Sequence, residues 1–339
     1  MLGMNHLSSI ALSAYTDLVR LLRDDALVSL QGKPTLKTRG DKAYWYTVRR
    51  VGTETKFSYI GEDTAETRAH IEQLEALHAT AKERQAERSR LVRLLRAEGM
   101  TPTDRTTGSM LSAMADAGTF RLGGTLVGTN AFRLYEGELG IRLPLGGMAT
   151  TGDIDIAQFE KLSMVLEDQV SPALTETFST LKFSPVPNID SGHTWRWTQG
   201  GNGQLVEFLT PAFGEETIRH LPALGVSAQA LNYLNYLIAQ PVHAAAIYRS
   251  GILVQIPRPE RFAIHKLIIA DRRREGAGSL KSRKDREQAA FLIEALAEDR
   301  PDDLRDAYHT AMETGPRWRE HIENSLKRTE ATREILSGL

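Results

Sequence analysis

GMATTGDIDIAQFEK, residues Gly147 to Lys161, decides the reading of this chain. Asp153 and Asp155 stand one residue apart, with Ile154 and Ile156 interleaved. That alternation predicts a strand with its isoleucines turned to a core and both aspartates on the opposite face. Two like charges so close repel, and burying either costs several kcal/mol unless something pairs with it. The strand therefore ends in water or faces a cation. Two carboxylates on one face make a poor acid/base pair unless one is neutral, but a good half-site for a hard cation such as magnesium, which keeps its other positions for water and phosphate oxygens. Taken alone, Asp-x-Asp is common, and two solvated aspartates at a strand end are the simpler reading.

Two other stretches change the balance. In LVEFLTP, residues 205–211, both faces are apolar, so the strand reads as buried on both sides, with Glu207 its only charge. A carboxylate there needs a metal or a basic partner. Arg196, on the expected partner strand, offers a structural ion pair with equal weight. In LVGTNAF, residues 126–132, a strand ends at Gly128 and a helix starts at Thr129 or Asn130. Free N–H groups at a helix start, next to a glycine, suit a phosphate. An ordinary strand-to-helix turn with a Thr/Asn cap is the alternative.

Outward from these stretches, strands and helices alternate, which predicts an α/β (α+β) protein. Residues Asn5 to Asp24 read as a helix with Leu7, Ala11, Tyr15, Leu18 and Leu22 on one face. The polar QGKPTLKTRGDK follows. A β-hairpin is then expected over AYWYTVRRVGTETKFSYIG, turning between Val51 and Lys56. Asp63 and Glu66 form a capping-box signature ahead of a long helix reaching Ala97, whose middle has almost no apolar face and is either a solvated arm or a break. EGMTPTDRTTG, residues 98–108, reads as a linker. A helix over Ser109–Ala117 follows, and later a hairpin of HTWRWTQ with QLVEFLTP. A helix is expected from Ser227 to Leu237, then a strand at GILVQIP, then helices from Glu260 onward. The division this implies is 1–104, a helix, hairpin and long-helix domain; 105–256, the mixed-sheet domain; and 257–339, a helical region.

The order strand, Gly-Thr, helix, Asp-x-Asp strand, acidic strand is more specific than its parts. It resembles the DNA polymerase beta-like nucleotidyltransferase superfamily, and more nearly a bacterial family of nucleotidyltransferase-fold proteins, over roughly Thr107 to Leu296. AGTFRLGGTLVGTNAF, TGDIDIA, LVEFLTP and PERFAIHKLIIADRR followed by KSRKDREQA carry the likeness. The resemblance implies that Gly128 and Thr129 form the phosphate turn. It implies that Asp153, Asp155 and Glu207 are the catalytic carboxylates holding two Mg2+ ions, with an NTP such as ATP as substrate. The chain departs from the compact members in a longer loop between Gly128 and Asp153, and in a Glu where many relatives carry Asp.

Basic residues crowd from Arg261 to Arg286. They are either solvated helix ends or a positive wall for a triphosphate or an RNA backbone. Lys266 interrupts the apolar FAIHKLII, so Lys266 and Lys284 are the expected phosphate contacts, with Asp285 holding Lys281 or orienting Lys284. His265 is expected to be structural. Arg272, Arg273 and Arg274 are expected to meet a long anionic acceptor. In the hairpin, Tyr44, Trp45, Tyr46, Arg49, Arg50 and Lys56 mix rings with cations, which suits single-stranded nucleic acid; aromatics packed on the long helix are the alternative.

The 339 residues carry 42 Lys+Arg against 43 Asp+Glu, so bulk charge selects no partner. There is no cysteine, which excludes disulfides and cysteine-bound zinc. No Walker phosphate loop, His-Glu-x-x-His or Gly-x-Ser-x-Gly occurs. The N-terminus reads as an amphipathic helix rather than a signal peptide, and no apolar run would span a bilayer, so a cytoplasmic protein is expected. The expected activity is transfer of a nucleoside monophosphate to an acceptor hydroxyl: RNA (a tRNA end) first, protein second, a small molecule third. The other class kept open is a non-catalytic nucleotide- or RNA-binding regulator or toxin–antitoxin component.

Overall fold

A computed structural model describes residues 4–51, 54–144, 148, 152–166, 168–187, 193–201, 203–274 and 278–339. The turn expected at Gly52–Thr53, most of the loop over 145–151, Asn202 of the second hairpin turn and residues 275–277 of the basic loop lie outside them, as do the side chains of Arg49 and Arg50.

The chain opens with α1 (Ser9–Gln31), capped by the Ser8 hydroxyl, which accepts from the Ala11 N–H. Its expected apolar face is buried, Ala11 and Leu18 completely. Three strands follow, β1 (Lys33–Arg39), β2 (Lys42–Val51) and β3 (Glu54–Glu62), in one antiparallel sheet. The hairpin is as expected; β1 is an addition, drawn from the stretch that reads as merely polar because it lies at a sheet edge and buries little. The long helix is two, α2 (Ala65–Ala79) and α3 (Ala81–Ala97), broken at Thr80 where apolar residues give out. The capping box does not form. The Thr64 hydroxyl caps α2 by accepting from the Thr67 N–H at 3.2 Å, while Asp63 binds Arg68 and the Trp45 indole.

After the linker, α4 (Arg105–Ala117) begins four residues earlier than expected, because Asp104 accepts from the N–H groups of Thr106 and Thr107. Then come β4 (Thr125–Val127), α5 (Gly128–Leu139), β5 (Asp153–Ala157), α6 (Glu160–Val165), α7 (Leu174–Thr180), β6 (Phe183–Pro185), β7 (Arg196–Gln199), β8 (Gln204–Pro211), β9 (Ile218–Leu221) and β10 (Val226–Leu231). The helix expected over Ser227–Leu237 is mostly wrong. Residues Val226–Leu231 are a strand, and only α8 (Leu234–Leu237) is helical. VSAQAL has helix-forming Ala, Gln and Leu, but it lies between β8 and β9, where tertiary pairing overrides propensity. β11 (Val242–Ala246) pairs with β12 (Ile252–Ile256). Helices α9 (Pro259–Arg272), α10 (Ser279–Asp299), α11 (Pro301–Thr314), α12 (Pro316–Leu326) and α13 (Glu330–Ser337) complete the chain.

The central sheet runs β4-β5-β8-β10-β9, with β7 also on β8 and β6 on β7. It is mixed: β5 and β10 lie parallel to β8, while β4, β7 and β9 join antiparallel. The fold is therefore α/β with a helical C-terminal region. Ile154, Ile156, Val206 and Phe208 are fully buried in one large core with α4, α5, α9 and α10. A second core joins α1 and α3 to β11, where the Ala245 N–H donates to the Tyr15 hydroxyl at 3.1 Å. Among the described residues no helix is long and apolar enough to cross a membrane.

Candidate active site

The register of two parallel strands builds the site. Asp153 lies opposite Leu205, and Asp155 opposite Glu207. Alternation turns Ile154, Ile156, Val206 and Phe208 into the core, so the three carboxylates emerge together on the other face. That face is half-open, which corrects the expectation that Glu207 sits on a strand buried on both sides. Arg196 on β7 also pairs with Glu207 in register, and its Nε stands 3.4 Å from Glu207 Oε1. The structural ion pair is thus present beside the acidic cluster.

Crowding shifts these groups. Asp155 is pushed up from its ordinary 3.8 to about 7, by burial first and then by the charges of Glu207 and Asp153. Burial also raises Glu207, against the pull of Arg196, and Asp153 adds to the rise. A carboxyl group held upward in this way keeps its proton more readily. Here like charge is relieved by a proton or by a cation.

The third strand supplies the approach. β4 pairs with β5, placing Val127 opposite Asp155, so the next residue, Gly128, begins α5 against that carboxylate. Gly128 has φ +66, and a Cβ there would stand 2.3 Å from Asp155 Oδ2. Only glycine fits. Asn130 ties the helix start to the strand, donating to the Asp153 carbonyl at 2.7 Å.

These residues form the floor of a cleft of about 380 Å³. Gly128, Thr129, Asp153, Asp155, Glu207, Lys266 and Lys284 all line it, so the structure brings every sequence-predicted site residue to one cavity. Lys266, however, is committed within the protein. Its ammonium bonds the Asp285 carboxylate, whose other oxygen accepts from Arg273 at 3.0 Å. Burial alone would raise Asp285, but Lys266 and Arg273 outweigh it and hold the group low. The hydrogen bonds of Asp285 thus go to Lys266 and Arg273, while its charge also reaches Lys284. Lys284 is shifted downward, by burial first and then by Lys266. His265, buried beside Lys266, is pushed down to about 3 by burial and neighbouring cations and is neutral. Of the arginine run, Arg274 bonds Asp271 and Arg272 bonds Glu216 at 2.9 Å.

A family model described as Nucleotidyltransferase matches residues 105–313. The chain belongs to that nucleotidyltransferase family. The match spans the central sheet and every residue of the cleft. A second model, for a domain of unknown function, matches residues 15–69. No curated protein matches. Among solved structures, an antigenic nucleotidyltransferase-like protein from Paracoccidioides brasiliensis is similar at 14% identity, over 70% of this chain and 95% of that one, with a TM-score of 0.38. That likeness is too low to carry any argument.

In this nucleotidyltransferase cleft Asp153, Asp155 and Glu207 would offer carboxylate oxygen to a hard cation, and His265 also lines the cavity. Among the described residues no three such side chains are already closed into a metal-holding group. Asp155 and Glu207 lie opposite one another on paired strands, with Asp153 two residues before Asp155 on the same face. Sequence reasoning missed two features of the cleft: the double hold on Asp285, and Asn232 with its Glu216–Arg272 partners. The first had a signal in Asp285, an acid inside a basic run; the second had none.

Proposed function

We propose that this chain is a magnesium-dependent nucleotidyltransferase of the DNA polymerase beta-like type, in which residues 105–256 are the catalytic unit and 1–104 and 257–339 flank it. It would move a nucleoside monophosphate from an NTP to an acceptor hydroxyl, with RNA the favoured acceptor. The acceptor oxygen bonds to the α-phosphorus, the bond to the β-phosphate oxygen breaks, and pyrophosphate leaves. The observation that carries the reading is the register of Asp155 opposite Glu207, with Asp153 beside them and Gly128 against Asp155. Asp153, Asp155 and Glu207 would hold two magnesium ions, which supply charge for the leaving oxygens and acidify the attacking hydroxyl. The N–H groups at the start of α5, from Gly128 and Thr129, face phosphate oxygens. Lys281 and Lys284, on the α10 side of the cleft, offset the triphosphate charge. Glu207, ionised when the cluster holds its cations, would take the hydroxyl proton. Lys266 acts through Asp285 to fix the wall and is not a direct phosphate contact.

The test is incubation with α-labelled NTPs, magnesium and cell extract. Label should pass into a macromolecular or small-molecule product, and should fail to do so with EDTA or with Asp153→Asn. NTP binding without magnesium-dependent labelling would instead mark a nucleotide-binding regulator.

A further inference from the structure

The cleft leaves the N-terminal sheet unexplained. Its two faces differ. Gly61 pairs with Trp45, and a Cβ on Gly61 would meet the Thr67 hydroxyl of α2 at 3.0 Å, so α2 covers the Trp45 face. Trp45 also donates to Asp63, just before that helix. The register slips between Trp45 and Tyr46, where Tyr46 pairs with Tyr59 and an extra residue stands on β3. The slip places Tyr44, Tyr46, Phe57 and Tyr59 together on the uncovered face. Tyr59 contacts the rings of both Tyr44 and Tyr46, at 6.2 and 5.6 Å. Lys37, from β1, lies over the rings of Phe57 and Tyr46. Phe57 is 46% exposed and Tyr59 59%.

Trp45 alone of these rings faces α2, and Phe57 and Tyr59 on the other face are open to an occupant. Charge selects one. Between Lys33 and Glu62 the sequence has seven Lys/Arg against three Asp/Glu, in a chain whose net charge is −1. Glu62 is itself paired with Lys42 at 3.0 Å. A protein-binding patch would have few lysines at its centre, yet Lys37 sits among the rings. Rings that can stack on bases, interleaved with cations that can meet phosphates, are what an unpaired strand requires. A duplex offers neither open base faces nor a way past its backbone to these rings.

We propose that the exposed face of β1–β3 binds single-stranded nucleic acid, with Tyr46, Phe57 and Tyr59 stacking on bases and Lys37 on the backbone. The inference stands on the N-terminal sheet and would also explain how an RNA acceptor is held under the function proposed above. It is tested with the full chain and a labelled oligouridylate about 15 nucleotides long, enough to cross such a sheet, read by fluorescence anisotropy. The oligouridylate should bind, and a duplex of equal charge should bind more weakly. Tyr59→Ala and Phe57→Ala should each weaken binding by about 5- to 100-fold, with Tyr59→Phe close to wild type because it keeps the ring. Lys37→Gln should lower the salt slope by about one. None should change NTP binding, whereas Asp153→Asn should leave oligouridylate binding intact. Loss of NTP binding in wild type would therefore sink the transferase reading alone. Oligouridylate affinity unchanged in Tyr59→Ala, or no stronger than duplex affinity, overturns the inference and assigns the face to a protein or to solvent.

Discussion

The two walls of the cleft handle charge in opposite ways. On the strand wall, Asp153, Asp155 and Glu207 crowd together beside Arg196, and burial and repulsion raise Asp155 and Glu207 against the pull of the nearby cations. On the helix wall, Asp285 is closed between Lys266 and Arg273 and is held low. The helix wall has solved its electrostatics within the chain. The strand wall has not, and a group left in that condition inside a cleft is where a ligand is expected. The contrast also moves attention from Lys266, the most conspicuous residue by sequence, to Lys281 and Lys284, which line the same cavity.

The largest expected effect sets one wall against the other. Asp155→Asn should lower nucleotidyl transfer by at least about 10²-fold, the several kcal/mol that a metal-ion site supplies. Its unfolding midpoint in urea should hold or rise, because a crowded like charge is gone. Asp285→Asn should do the reverse to stability. It leaves Lys266 buried against a neutral group, at a cost of about 3–5 kcal/mol. If instead Asp155→Asn unfolds and Asp285→Asn does not, the strand wall is scaffold and the helix wall is the site.

Next comes the residue joining β4 to the strand wall. Gly128→Ala puts a methyl 2.3 Å from Asp155 Oδ2 at a φ of +66. Backbone strain of this kind costs about 1–3 kcal/mol, and the displaced carboxylate should weaken NTP binding as well. A variant with wild-type stability and NTP affinity would show that the close approach is incidental.

Why the strand wall was readable and the helix wall was not follows from range. Asp153, Ile154, Asp155 and Ile156 show their faces through a period of two, and Glu207 stands out as a charge in an apolar run. Local alternation sufficed, and the register of β5 on β8 did the rest. Lys266 also stood out, but its partner lies nineteen residues on, beyond a loop, and no local pattern says which anion a buried cation meets. The same limit explains β10, whose Ala-rich sequence favours a helix until β8 and β9 flank it, and β1, whose edge position buries too little to leave a pattern.

A smaller effect should appear in pH dependence. Asp155 is raised on folding, so its contribution to stability is complete below its ordinary 3.8 and is lost as pH rises through about 7. Asp285 is lowered, so its contribution is present above the ordinary carboxylate range and is lost on acidification. In EDTA the wild type should therefore lose on the order of 2 kcal/mol relative to Asp155→Asn between pH values of about 4 and 8. Magnesium added at the upper end should restore the wild type and leave Asp155→Asn unmoved. Thermal unfolding across pH, with and without magnesium, reads both arms. Equal pH profiles for the two proteins would remove the crowding on which the comparison rests.

The smallest effect decides what Glu207 is. Its carboxylate has two suitors: Arg196 at 3.4 Å, and the cation proposed for the acidic cluster. The ion pair is loose, with Arg196 41% exposed and stacked 3.9 Å over the Trp195 ring. Such a pair contributes at most about 1 kcal/mol, so Arg196→Gln should barely move the unfolding midpoint. What it should move is cation affinity. Removing a positive charge that competes for Glu207 should tighten binding of Mn2+, a paramagnetic stand-in for Mg2+, by about 2- to 5-fold, the equivalent of that same ion pair. Water-proton relaxation during a Mn2+ titration measures it directly. Suppose instead that Arg196→Gln leaves Mn2+ affinity unchanged and costs more than about 2 kcal/mol, beyond what an exposed pair contributes. Glu207 is then a structural partner of Arg196, and the site contracts to Asp153 and Asp155 alone.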